Sequence, residues 1–136
     1  MTVGLVIVSH SAKIAEGVVE LAEQMAEDVR VLAAGGADGG EIGTSAIKIA
    51  AAIEAADTGD GTLVLVDLGS AVLSARMAIE ELIGDEHRDR VRISEGPLVE
   101  GAVIGAVQAS TGSSLDEVEE AAQGAATMVK VKEPGG

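Results

Sequence analysis

Two side chains with the chemistry for proton or phosphoryl transfer each follow an apolar segment. His10, one of two histidines in the chain, follows residues 3–8, and Asp67 follows residues 62–66. A carboxylate that accepts a hydrogen bond from one imidazole nitrogen fixes the tautomer and leaves the other nitrogen as a nucleophile or base. The alternative interpretation is a solvated histidine and a capping aspartate at two polar strand ends.

The residues around His10 predict an anion site. Ser11 is a suitable N-cap for a helix that begins at Ala12, and the N–H groups of that helix would point at the strand end. The hydroxyls of Ser9 and Ser11 could donate to a bound phosphoryl group. Imidazole, orienting carboxylate and helix N-terminus together indicate phosphorylation of His10.

Further candidates lie after Asp67 and in a glycine-rich segment. Gly69 and Ser70 could bind phosphate oxygens, although the sequence alone favours a helix N-cap for Ser70. Residues 35–43 are not a Walker A loop, because they lack its Gly-Lys-Ser/Thr ending. They are not a dinucleotide-binding fingerprint either, because that motif follows the first strand and this segment follows the second predicted strand. This segment is either a plain surface loop or a docking loop.

Hydrophobic periodicity predicts the elements that position these residues. Strands are predicted at 3–8, 29–33, 62–67 and 90–94, and helices at 12–27, 45–56, 71–83, 98–109 and 114–128. Their alternation predicts an α/β three-layer sandwich with a mainly parallel sheet of four to five strands, in the order 2-1-3-4. That order places His10 and Asp67 together at the topological switch point.

The sequence also predicts packing and exposure away from His10 and Asp67. In the helix at 98–109, Gly101 and Gly105 indicate close helix packing. His87 lies in a charged connection, where a solvated side chain is expected. The predicted core stripes are Ile14, Val18, Leu21, Ala22 and Met25 in the first helix and Ile47, Ala50, Ala51 and Ile53 in the second.

Composition limits the classes of function. The 136 residues include no cysteine and no aromatic residue, and the formal net charge is −14. Thiol chemistry is excluded, nucleic acid and anionic membranes would be repelled, and one histidine with one aspartate is too few ligands for a metal. Hydrolase chemistry lacks a Gly-x-Ser-x-Gly elbow. We expect one domain over 1–130, a tail over 131–136, no cofactor and a cytoplasmic location.

Several segments resemble a known family. Val-Ile-Val-Ser-His-Ser at 6–11, followed by Ile-Ala-Glu-Gly at 14–17, resembles the active-site segment of the mannose-type IIA proteins of the phosphoenolpyruvate-dependent phosphotransferase system. Segments 39–45, 66–72 and 97–101 are similar to the phosphocarrier subunits of phosphoenolpyruvate-dependent dihydroxyacetone kinases. Sugar-transporting relatives usually have a Phe-Gly-Gly-Ser-Pro-like run after the aspartate, where this chain has Leu-Gly-Ser-Ala.

The resemblance implies a relay. His10 would accept a phosphoryl group on Nε2 from phospho-HPr, a separate protein, while Asp67 holds Nδ1–H. The acceptor would be ADP on the nucleotide-binding subunit of the kinase. The chain would also form a homodimer, which the apolar helix at 98–109 could support. The candidates for phosphate binding or docking are Ser9, Ser11, Gly39, Gly40, Thr44, Ser45, Gly69 and Ser70.

Two other functions remain open from the sequence. One is the IIA component of a mannose-type sugar phosphotransferase system, which would have a IIB partner. The other is a non-enzymatic, flavodoxin-like ligand-binding or regulatory module, which would carry no phosphohistidine. Regulation of a transcription factor through the phosphorylation state is a further possibility that the residues do not address.

Overall fold

A parallel sheet positions the two candidate residues. The computed structural model describes residues 1–131, with strands β1 Gly4–Ser9, β2 Val31–Gly35, β3 Thr62–Val66 and β4 Val91–Ile93. Neighbouring strands are all parallel and lie in the order β2-β1-β3-β4. The predicted fold class and strand order are therefore confirmed. The predicted tail at 131–136 lies outside the described residues except for Val131.

Helices cover both faces of the sheet. Within residues 1–131, none of them is long and apolar enough to cross a membrane. A short π-helical turn, Ala78–Leu82, continues the third helix, and a 3-10 turn, Ala125–Thr127, follows the last. The helices are α1 Ala12–Met25, α2 Ala46–Ala56, α3 Gly69–Met77, α4 Asp85–Arg88, α5 Leu98–Ser110 and α6 Leu115–Gly124.

The alternating side chains of β1 divide between two cores. Leu5 and Ile7 pack with α1, α5 and α6 on one face, whereas Val6 and Val8 pack with α2 and α3 on the other. All six residues of β1 are buried, as expected for the central strand of a parallel sheet. The core contains no aromatic ring. Most of the buried helix residues are alanines, whose small side chains let the helices approach the sheet closely.

Two glycines allow this close packing. A Cβ atom on Gly4 would lie 2.2 Å from the carbonyl oxygen of Ala56, and one on Gly101 would lie 2.8 Å from Cδ2 of Leu65. The contact at Gly4 is with backbone, which explains glycine there, whereas the contact at Gly101 is with the end of the Leu65 side chain and shows that α5 packs tightly against β3. The close packing predicted for Gly101 is confirmed.

The predicted core stripes are partly wrong. Ile14, Leu21 and Met25 are between 49 and 62% exposed, and Ile47 is 67% exposed. The predicted Val18, Ala22, Ala50 and Ile53 are buried, but Ala51 is exposed, and the rest of each buried stripe lies one or two positions from the predicted one. The buried residues are Ala15, Val18 and Ala22 in α1 and Ile49, Ala50, Ala52, Ile53 and Ala56 in α2.

The prediction that His87 is solvated is also wrong, because its ring bonds to a buried carboxylate. Asp57 Oδ2 lies 2.8 Å from His87 Nδ1 and accepts from Arg90 Nη2 at 2.7 Å, and the Asp57 side chain is 1% exposed. Backbone N–H groups of Gly59 and Gly61 donate to Oδ1. This cluster joins the end of α2, α4 and the start of β4.

Burial alone would raise the pKa of Asp57, but the hydrogen bonds outweigh it. Those from His87, Arg90, Gly59 and Gly61 together lower the pKa from 3.8 to about 2. A carboxyl group whose pKa is lower in the folded state stabilises that state above its unfolded pKa, and the contribution is lost as the pH falls through the folded pKa. Asp57 is therefore a stabilising anion at neutral pH.

We expect Asp57→Asn to lower the free energy of unfolding at pH 7 by about 2 kcal/mol, the equivalent of this pKa shift. The difference from the unsubstituted protein should shrink as the pH falls from about 4 toward 2. Urea unfolding at a series of pH values measures both effects. Asp60→Asn, at an exposed position in the same turn, is the matched control. Equal losses for both variants at pH 7 would contradict this role.

Candidate functional site

His10 and Asp67 meet where β1 and β3 end. These strands are direct neighbours, and the backbone N–H of Asp67 donates to the carbonyl of Val8 at 3.2 Å. His10 Nδ1 lies 2.9 Å from Asp67 Oδ1, and the two side chains are 22% and 15% exposed. The strand order thus brings the two side chains into direct contact at the carboxyl edge of the sheet.

The Asp67 carboxylate is surrounded by donors. Oδ2 accepts from the backbone N–H of His10 and from Ser9 Oγ, each at 2.9 Å. Oδ1 accepts from the backbone N–H of Leu68 at 2.7 Å in addition to His10 Nδ1. Partial burial raises the pKa of Asp67, but the hydrogen bonds from His10, Ser9 and Leu68 outweigh it and lower the pKa. Asp67 is therefore a fixed anion that only accepts hydrogen bonds.

This anion determines which nitrogen of His10 is available. Because Asp67 only accepts, Nδ1 carries the proton, and Nε2 of the neutral ring has the free lone pair. Nε2 lies 2.7 Å from the hydroxyl of Ser70, on the exposed side of the ring. Ser70 therefore donates to Nε2 in the resting site. Its hydroxyl can turn to an oxygen of a group that bonds to Nε2.

Ser70 lies inside the first turn of α3 rather than at the N-cap. Leu68 is the N-cap residue and makes no side-chain cap bond, so the N-cap alternative for Ser70 is wrong. The N-terminus of α3, with Gly69 in its first position, opens beside Nε2. Free N–H groups at a helix N-terminus favour a bound anion.

Four hydroxyl groups predicted to bind phosphate make hydrogen bonds elsewhere, although Ser11 only accepts in its bond and keeps its proton available to donate. Ser9 is buried and bonds to Asp67, and Ser11 caps α1 by accepting from the N–H of Ile14. Ser45 caps α2 and donates to Asp38, while Thr44 Oγ1 bonds to Ser74 Oγ at 2.6 Å. Of the predicted hydroxyls, Ser70 alone contacts the His10 ring.

The glycine-rich loop is attached to the site at one end. The N–H of Gly43 donates to the carbonyl of His10 at 2.9 Å, and Thr44 connects the loop to α3. Gly39 and Gly40 are exposed, and Gly40 has a φ of 91°, which favours glycine. The two predicted loop glycines therefore lie at the surface, with no contact to the His10 ring.

The segments attached to His10 expose large apolar side chains. Residues 42–47 and 68–75 contain no charged residue, although the chain as a whole carries a net charge of −14. We call the following five side chains, which are 56 to 77% exposed, the apolar rim. They are Ile42, Ile47, Leu68, Leu73 and Met77. Exposed apolar patches of this kind mark interaction sites.

Sequence comparison places these features in a family. The family described as PTS system fructose IIA component (EIIA-man) matches residues 4–119. The phosphoryl donor subunit DhaM of the PEP-dependent dihydroxyacetone kinase of Escherichia coli (strain K12) is 44% identical over 85% of this chain. The chain spans only 25% of that relative's length.

A relative of similar length and a solved structure agree with this match. The phosphoryl donor subunit DhaM of PEP-dependent dihydroxyacetone kinase 2 from Listeria innocua is 38% identical, over 85% of this chain and 93% of its own. The crystal structure of the unknown function protein EF1359 superposes with a TM-score of 0.81 at 33% identity, covering 91% of this chain and 95% of that one. The chain therefore belongs to the PTS system fructose IIA component family and, within it, to the DhaM proteins.

Proposed function

We propose that the chain is a phosphohistidine carrier. Nε2 of His10 takes a phosphoryl group from phospho-HPr and passes it to ADP on the nucleotide-binding subunit of a dihydroxyacetone kinase. The observation that carries the proposal is the orientation of the His10 ring, with Nδ1 on Asp67 and Nε2 toward the exposed side. The names of the relatives, as phosphoryl donor subunits of that kinase, support the choice of acceptor.

The first transfer exchanges one nitrogen–phosphorus bond for another. The lone pair of His10 Nε2 attacks the phosphorus, and the donor's own N–P bond breaks with its electron pair returning to the donor nitrogen. The proton on Nδ1 stays in place, so the phosphorylated ring carries a positive charge beside Asp67. Phosphoryl transfer depends mainly on positioning and charge stabilisation, which Asp67, Ser70 and the α3 N-terminus supply.

The second transfer reverses these roles. A terminal phosphate oxygen of ADP attacks the phosphorus, the bond to Nε2 breaks, and its electron pair returns to the ring. The resulting ATP serves dihydroxyacetone held by a third subunit, so the chain itself binds neither free ATP nor dihydroxyacetone. The chain would act as the carrier subunit of a phosphoenolpyruvate–glycerone phosphotransferase, as a homodimer in the cytoplasm.

The apolar rim fits the docking step. A phosphorylated His10 adds negative charge to an already acidic chain, and the proposed acceptor carries a nucleotide diphosphate. Acidic groups at this contact would add repulsion, whereas an apolar surface without carboxylates lets the partner approach Nε2 closely. We therefore assign docking of the acceptor subunit to the apolar rim.

Incubation with phosphoenolpyruvate, enzyme I and HPr should place an acid-labile, base-stable phosphate on the chain. His10→Ala should abolish the label, because Nε2 is the nucleophile, while His87→Gln, at the other histidine, should retain it. Addition of the ADP-loaded nucleotide-binding subunit should move the label to ATP. Full labelling of the His10→Ala protein would refute the site.

Leu73→Asp should raise the KM for the acceptor subunit about tenfold or more, since burial of a leucine side chain contributes roughly 1.5–3 kcal/mol. The kcat at saturating acceptor should change little, because Leu73 does not touch the reacting atoms. Leu21→Asp, at a half-exposed leucine of α1, is the matched control. An equal effect of both substitutions on KM would show that docking does not use the apolar rim.

A further inference from the structure

The hydroxyl of Ser9 lies beneath the reacting histidine and has no exposure to solvent. Ser9 is the last residue of β1, and its Oγ lies 2.9 Å from Asp67 Oδ2 and 3.0 Å from the backbone nitrogen of Ser11. It therefore connects the Asp67 carboxylate to the start of α1. No step of the proposed transfer uses this group directly.

The direction of both bonds is fixed by the chemistry of the partners. The backbone N–H of Ser11 can only donate, so Ser9 Oγ accepts there. The Asp67 carboxylate can only accept, so it receives the hydroxyl proton of Ser9. With its one proton committed and its side chain buried, Ser9 has no donor left for a phosphoryl oxygen.

We propose that Ser9 is a positioning residue that acts through Asp67 to hold the reactive tautomer of His10, an inference that rests on the proposed function of His10. Ser9 and the backbone N–H of His10 together hold Oδ2. With Oδ2 held, the plane of the carboxylate is set, and Oδ1 faces His10 Nδ1 at 2.9 Å.

Of the donors to Asp67, only the Ser9 hydroxyl can be removed by a substitution that keeps both the His10 and the Asp67 side chains. Two of the other donors are backbone N–H groups, of His10 and Leu68, and the third is the His10 ring itself. Without the Ser9 hydroxyl, Oδ2 retains one donor, and the carboxylate is held less firmly in the plane that faces His10 Nδ1. The population of the tautomer with the proton on Nε2 then rises. In that tautomer Nε2 has no free lone pair for the attack on phosphorus.

Ser9→Thr and Ser9→Val form the matched pair for the experiment, because the two side chains have nearly the same shape and only threonine keeps the hydroxyl. Ser9→Ala removes the hydroxyl without adding bulk. Two kinds of measurement are made on each variant of the full chain after circular dichroism confirms folding. They are the 15N chemical shifts of the His10 ring without phosphate, which report the tautomer, and the kcat and KM for phosphorylation by phospho-HPr.

Ser9→Ala and Ser9→Val should lose part of the Nδ1–H tautomer and lower kcat roughly tenfold with KM unchanged, the size expected for loss of a hydrogen bond to a charged group. Ser9→Thr should keep both the tautomer and kcat. Unchanged 15N shifts and kcat in the valine and alanine variants would overturn the positioning role. Failure of the proposed function would be visible separately, as an unsubstituted protein that HPr does not phosphorylate.

Discussion

The hydrogen bond between His10 Nδ1 and the Asp67 carboxylate is the interaction on which the site depends. It selects the tautomer, turns Nε2 toward the exposed side and places a negative charge beside a ring that would become positive in the proposed phosphorylation. The sheet supplies this bond through strand order alone, because β1 and β3 are parallel neighbours and end at the same edge. The Ser9 hydroxyl and the backbone N–H groups of His10 and Leu68 together hold the carboxylate in place.

Charge is distributed in a way that suits the proposed role of a carrier that docks on other proteins. The chain is strongly acidic, yet residues 42–47 and 68–75 carry no charge and expose Ile42, Ile47, Leu68 and Leu73 of the apolar rim. The Asp57 cluster, with His87 and Arg90, lies at the opposite end of the sheet, where α2 ends and β4 begins. Stability and transfer therefore depend on separate groups of ionisable residues.

The sequence was sufficient to predict the sheet order and the contact between His10 and Asp67, because continuous apolar segments ending in polar residues are typical of buried parallel strands. It was insufficient for Ser9, since the direction of a hydroxyl depends on its burial and on the carboxylate across the sheet. The contact of His87 with Asp57 joins residues thirty positions apart, with no local pattern. Ile14 and Ile47 were misplaced because alanines such as Ala15 and Ala52, whose apolar signal is weak, form part of the buried helix faces.

The most direct measurement of the central claim is the identity of the phosphorylated nitrogen. The chain, labelled with 15N at histidine, is phosphorylated by phosphoenolpyruvate, enzyme I and HPr and examined by 31P and 15N nuclear magnetic resonance. We predict phosphorus coupled to Nε2 of His10, with a proton retained on Nδ1. Phosphorus on Nδ1 of His10, or on another residue, would contradict the account.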